Sequence, residues 1–151
     1  GTAEVTISHT NIYGNEAAFA GGVTMVQGLL IMTNSRIFNN TAATDGGGLM
    51  VWDADVRLIN VHIAGNTAGS RGGGLNLRGG SIILKNETQF VNNLASNEGD
   101  NVFIAGGEAI YVLPAMTGHW ISGVRCVVSR QACSPFADGD DCRTHEDHCS
   151  L

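Results

Sequence analysis

Apolar residues in this chain alternate with polar ones in short triplets, and the triplets recur at intervals of 25 to 27 residues. Placing Asn15, Asn40, Asn66 and Asn93 in one column puts Ile12, Ile37, Ile63 or Phe90 three places before each. The successive Asn spacings are 25, 26 and 27. A small-residue element ends seven or eight positions after each Asn: Ala20-Gly21-Gly22, Gly46-Gly47-Gly48, Gly72-Gly73-Gly74 and the degraded Gly99-Asp100-Asn101. A triplet with apolar ends follows each: Val23-Thr24-Met25, Leu49-Met50-Val51, Leu75-Asn76-Leu77 and Val102-Phe103-Ile104. Period two is the signature of a strand with one buried face.

A second column lies upstream of each Asn, at Val5-Thr6-Ile7, Leu29-Leu30-Ile31, Val56-Arg57-Leu58 and Ile82-Ile83-Leu84. With the short element at Ile12, Ile37, Ile63 and Phe90, each period holds three extended pieces joined by turns. A helix would pay about 1 kcal/mol for each glycine of the Gly runs, and its apolar spacing would differ. One period cannot bury its own apolar edge, but stacked coils can. The pattern therefore predicts an all-β fold, a right-handed parallel β-helix of about four coils, with strands near 5–7, 29–31, 56–58 and 82–84 in one parallel sheet. The outward positions of the two columns would be Thr6, Leu30, Arg57 and Ile83, and Thr24, Met50, Asn76 and Phe103. Asn15, Asn40, Asn66 and Asn93 would form a structural ladder, each amide accepting from one neighbour and donating to the next. The glycines would serve tight corners and close approach of coils.

The repeat has a family likeness. Phe90-Val91-Asn92-Asn93 and Ile37-Phe38-Asn39-Asn40, the latter followed by Gly46-Gly47-Gly48-Leu49, resemble the repeats of polymorphic outer membrane proteins, which pair F-x-x-N with G-G-A-aliphatic. Ile replaces Phe in three of the four coils here, and a third Gly or a Val stands where Ala would. The resemblance covers roughly two thirds of the chain and implies a β-helix displayed at a cell surface, with adhesive roles. The segment from Tyr111 to Ile121 with the cysteines after it resembles the junction following such repeats in very large proteins of unicellular eukaryotes. That likeness implies a secreted or surface protein whose cysteine-rich region continues further.

Composition narrows the possible partners. The chain of 151 residues carries 8 Lys and Arg against 14 Asp and Glu, a net charge of −6, and Lys85 is its one lysine. With no basic face to neutralise phosphates, nucleic acid is not expected as a partner, nor is an anionic membrane surface. No apolar run approaches the roughly 18 residues of a spanning helix, so no direct membrane insertion is expected. The first residue is not Met, and the first eight do not read as a signal peptide, so the chain reads as a segment of a larger protein.

The repeat fades before Pro114, which divides the chain into β-helix repeats over 1–113 and a Cys-rich, loop-rich tail over 114–151. All four cysteines, Cys126, Cys133, Cys142 and Cys149, lie in that tail. An even number in a short acidic stretch reads as two disulfides in an oxidising compartment, and places the protein outside the cell or at its surface. Three connectivities are open; Cys126 with Cys133 and Cys142 with Cys149 is favoured. Zinc on Cys142, His145, His148 and Cys149 is the sharper alternative, but these donors crowd eight positions rather than forming two separated knuckles. Asp138, Asp140 and Asp141 lack a calcium-loop pattern. No metal or cofactor is expected.

Parallel β-helices also carry polysaccharide lyases and glycosidases, so an enzyme must be weighed from residues. Such chemistry needs clustered acids with a positioned base, or two carboxylates at set separation. Asp45, Arg71 and Glu98 fall in one column with alternating sign and read as an ion ladder. Trp52, Asp53, Asp55 and Arg57 form the compact group most worth examining as a binding site. No catalytic residues are assigned. The sequons Asn39-Asn40-Thr41 and Asn86-Glu87-Thr88 are glycosylation candidates, with Asn39 favoured. The expectation is a non-catalytic display or adhesion segment, taking neighbouring coils, carbohydrate or a host or cell-surface protein as partners. The alternative is a fragment of a polysaccharide-binding or pectin lyase-like polysaccharide-degrading protein.

Overall fold

The computed structural model describes residues 2–106 together with the strand backbones of 108–112 and 124–126. Cys133, Cys142 and Cys149, the proposed disulfides and the alternative zinc ligands lie outside the described residues. The described chain is all β. Its strands are β1 (Glu4–Ser8), β2 (Asn11–Tyr13), β3 (Glu16–Ala17), β4 (Val23–Phe38), β5 (Thr41–Ala42), β6 (Leu49–Ala64), β7 (Thr67–Ala68), β8 (Leu75–Lys85), β9 (Gln89–Val91), β10 (Leu94–Ala95), β11 (Val102–Ile104), β12 (Glu108–Val112) and β13 (Val124–Cys126).

Every pairing is parallel and joins one coil to the next, which makes a parallel β-solenoid of about four turns. The wide sheet runs β1-β4-β6-β8-β11-β13, and β2 and β9 extend it. A second sheet, β10-β7-β5-β3, is made of two-residue strands that follow each column Asn. These were too short to show as an alternation. Each pairs through only two positions, such as Thr41 on Thr67 and Ala42 on Ala68.

The core is a set of axial columns. Leu49 stands on Leu75 and then Val102, Val51 on Leu77 and then Ile104, and Ile37 on Ile63 and then Phe90. All of these are buried. Burying a side chain of this size stabilises by about 1.5–3 kcal/mol, so stacking is what makes each short strand stable.

The second coil departs from the expected 29–31 register. Leu30 stands on Val56 and Met32 on Leu58, so the inward pair is Leu30 and Met32, while Leu29 and Ile31 are only half-buried. Leu30, placed on the outside by the sequence pattern, is 1% exposed. The run Leu29 to Met32 is apolar throughout, so alternation alone permits two phases one residue apart. The corner at Gln27 and Gly28, both at positive φ, selects the phase by bringing Gly28 opposite Ala54.

The outward positions Met50, Asn76 and Phe103 are also buried, contrary to their reading as open surface. The turn before each strand folds back over them. At Gly72, with φ of +66°, an added Cβ would lie 2.8 Å from Asn76 Cβ and 2.3 Å from Leu75 O. Only glycine permits that approach.

At the opposite edge the buried asparagines form a continuous ladder. Asn40 Oδ1 accepts from the backbone N–H of Asn15 at 3.1 Å and from its Nδ2 at 2.9 Å. Asn66 Oδ1 accepts both donors of Asn40 at 3.0 Å, and Asn93 Oδ1 accepts those of Asn66 at 3.0 and 2.9 Å. The second Nδ2 hydrogen reaches back to the preceding coil, from Asn40 to Ile12 O, Asn66 to Ile37 O and Asn93 to Ile63 O. The amides of Asn40 and Asn66 therefore each link three layers.

The ladder ends on a residue of the same coil. Asn93 donates its backbone N–H at 3.2 Å and its Nδ2 at 2.8 Å to Asn101 Oδ1. Asn101 occupies the column of Gly22, Gly48 and Gly74, where a Cβ on Gly74 would lie 2.8 Å from Asn93 Nδ2. Glycine there leaves room for the next coil's ladder Asn, whereas Asn101 supplies the missing acceptor itself.

Candidate recognition face

The four residues singled out from sequence lie along β6 and are divided by a corner. Asp53, exposed with φ of +46°, turns the strand between Trp52 on one side and Asp55 and Arg57 on the other. Trp52 is half-buried, in register with Val26 and Arg78, with its ring 6.4 Å from that of Phe19 and tilted by 52°. Asp55 accepts from Ser81 Oγ at 2.6 Å, and Arg57 stands exposed between Ile31 and Ile83.

Asp45 is the buried member of a half-buried ionic clamp. Its Oδ2 meets Arg78 Nη2 at 2.7 Å, and its Oδ1 meets Arg71 Nε at 3.4 Å and the Arg71 backbone N–H at 3.1 Å. Arg78 Nε also donates to Asn76 Oδ1, and the Arg71 guanidinium lies 5.2 Å from the Phe103 ring centre. Arg71 and Glu98 are joined by a backbone bridge. Asp45 is 6% exposed, and both arginines bind its carboxylate. This group holds turns onto the stack, because a buried charge must be paired to be tolerated.

The most developed surface feature is on the outside of the solenoid, around the segments that lead into the Asn ladder. Three columns build it. The first is the corner His9, Asn34, Asn60 and Asn86, all at φ between +47° and +55°, which asparagine tolerates better than most residues. Asn60 Nδ2 donates to Asn34 Oδ1 at 2.8 Å, and Asn34 Nδ2 lies 3.4 Å from His9 Nε2. The second column stacks Asn11, Arg36, His62 and Gln89, and the third stacks Tyr13, Phe38, Ala64 and Val91. The rings of Tyr13 and Phe38 are parallel within 8°, with centroids 4.9 Å apart.

Two shallow cavities of about 390 and 360 Å³ open on this face and share Arg36 and His62. The first reaches Phe38, Asn39 and Asn92, and the second His9, Asn34 and Asn60. None of Trp52, Asp53, Asp55 and Arg57 lines either one. Sequence reasoning missed this face because its residue types differ from coil to coil. The 26-residue spacing of Asn34, Asn60 and Asn86 was the available signal.

Of the sequon asparagines, Asn39 is exposed and lines the larger cavity, and Thr41 is exposed too. Asn86 is exposed, but Thr88 is fully buried; its Oγ1 accepts from Val61 N–H and lies 3.1 Å from Leu58 O. Among the described residues no group of three or more His, Cys, Asp or Glu side chains is placed to hold a metal. No family model matches the chain, and neither a curated protein nor a solved structure shows significant similarity to it.

Proposed function

We propose that this chain is a non-catalytic display or adhesion segment of a larger secreted or cell-surface protein. In this reading its repeats are of the polymorphic outer membrane protein type. Its solenoid is a rigid scaffold, and the outer face around Arg36, Asn60 and His62 is what it presents. The observation that carries the reading is the continuity of that face: polar amides, one arginine, two histidines and a stacked aromatic pair are held in axial columns by the parallel register. Recognition sites favour such fixed polar groups beside aromatic surface. Two of the carboxylates in the candidate groups have other duties: Asp45 binds two arginines and Asp55 binds Ser81.

A carbohydrate-binding protein is the second reading, favoured by the amide-rich columns flanking Tyr13 and Phe38. A polysaccharide-degrading pectin lyase-like fragment would share the scaffold but would need an acid and base group of its own. Retention of the labelled chain on glycan-coated and cell-surface-protein-coated supports tests the proposal. The expected result is retention that Arg36→Glu abolishes, with no new reducing ends or unsaturated sugars released. Release of cleavage products, or retention unchanged by Arg36→Glu, would overturn it.

A further inference from the structure

We infer that the outer face binds a linear anionic polysaccharide, laid along the solenoid axis with its acid groups at Arg36 and His62. The inference rests on the recognition role proposed above and names the ligand class for it. Charge is the first ground. The chain carries a net −6, yet neither cavity is lined by any Asp or Glu. Arg36 is exposed, and the ion pairs found among the described residues use Arg71 and Arg78 instead. An arginine so placed can offer its planar fork to a carboxylate or sulfate through two parallel hydrogen bonds.

Geometry is the second ground. Successive coils repeat at about 4.8 Å along the axis, a step comparable to one sugar ring. Arg36 and His62 occupy adjacent steps of one column, and Asn34 and Asn60 the same two steps of the neighbouring column. An amide offers two donors and an acceptor with two lone pairs, so the Asn60-to-Asn34 bond and the Asn34 contact with His9 leave capacity for sugar hydroxyls. Tyr13, 60% exposed and stacked on Phe38, adds an apolar platform at the first two steps. Nucleic acid also presents regularly spaced anions, but its binding depends on neutralising several phosphates. This face holds one permanent cation, and amides outnumber it.

Calorimetric titration of the whole chain tests the inference with four probes: an oligogalacturonate, a sulfated oligosaccharide of heparin type, the methyl-esterified oligogalacturonate and single-stranded DNA. At least one acidic oligosaccharide should bind about tenfold more tightly than the ester, and the two acidic probes show whether carboxylate or sulfate is preferred. Arg36→Ala should weaken that binding about tenfold, whereas Lys85→Ala, which removes a cation lining neither cavity, should not. Arg36 is exposed, so the variant should melt with the parent. Equal affinity for the ester, indifference to Arg36→Ala, or tighter binding of DNA would overturn the ligand class. If no oligosaccharide binds while Arg36→Glu still abolishes surface retention, the ligand class falls and the recognition role stands. If retention survives Arg36→Glu, the recognition role falls first.

Discussion

Two asparagine columns run along this solenoid, and the same side chain does opposite work in each. In the inner column, Asn40, Asn66 and Asn93 are at most 5% exposed, and each amide is spent on donors and acceptors of adjoining layers. In the outer column, Asn34, Asn60 and Asn86 hold corners at positive φ, with Asn34 and Asn86 exposed and Asn60 half-buried. Burial makes an amide bond costly to lose, because its partners are left without water. Exposure lets water replace any lost partner, so the outer amides can vary freely or serve a ligand. Residue type alone therefore says little about role; the number of partners committed inside the fold says more.

The inner ladder offers the largest effects. Asn66→Asp keeps the shape but removes the Nδ2 donors to Asn93 Oδ1 and Ile37 O, and puts an acceptor or a buried charge against them. It should cost about 3 kcal/mol or more in denaturant unfolding. Asn66→Ala, which also leaves both donors of Asn40 without an acceptor, should cost about 1–3 kcal/mol. An unchanged melting temperature in either variant would erase the distinction between the columns.

Asn101→Gly tests the end of the ladder. It restores the residue found at positions 48 and 74 but removes the acceptor for Asn93, so about 1–2 kcal/mol of stability should be lost. If stability holds, another group closes the ladder. Asn60→Gly is the matching change in the outer column: glycine accepts φ of +54°, and only an exposed amide bond to Asn34 is removed. Stability should change by no more than about 0.5 kcal/mol, while retention on a glycan surface falls. A large loss of stability would show that the outer column is structural too.

The smallest expected effect concerns modification. In a glycosylating host, peptide mapping should find more glycan on Asn39 than on Asn86, because Thr88 is committed to the core whereas Thr41 is exposed. A glycan on Asn39 would stand in the larger cavity and reduce binding there. Glycan on Asn86 alone would contradict this assignment.

The repeat was legible because stacking forces each coil to present the same inward residues at the same places. Any coil that lost the alternation of Leu49-Met50-Val51 or Leu75-Asn76-Leu77 would leave a hole in the column. The ladder positions were legible for the same reason, since a buried amide column tolerates no interruption. Where local pattern was degenerate, only the assembled fold could choose. Leu29 to Met32 fits either phase, and the corner at Gln27 and Gly28 decided that Leu30 and Met32 point inward. Met50, Asn76 and Phe103 read as outward in the strand pattern, and only the folded-back turns made them a second buried layer. Asn101 looked like a worn glycine until its carboxamide was seen to close the ladder. The outer face was hidden for a related reason: solvent does not impose one residue type on each coil, so Asn11, Arg36, His62 and Gln89 share a column without sharing a pattern. Burial writes periodicity into a sequence, whereas neighbours brought together at a surface are decided only when the coils stack.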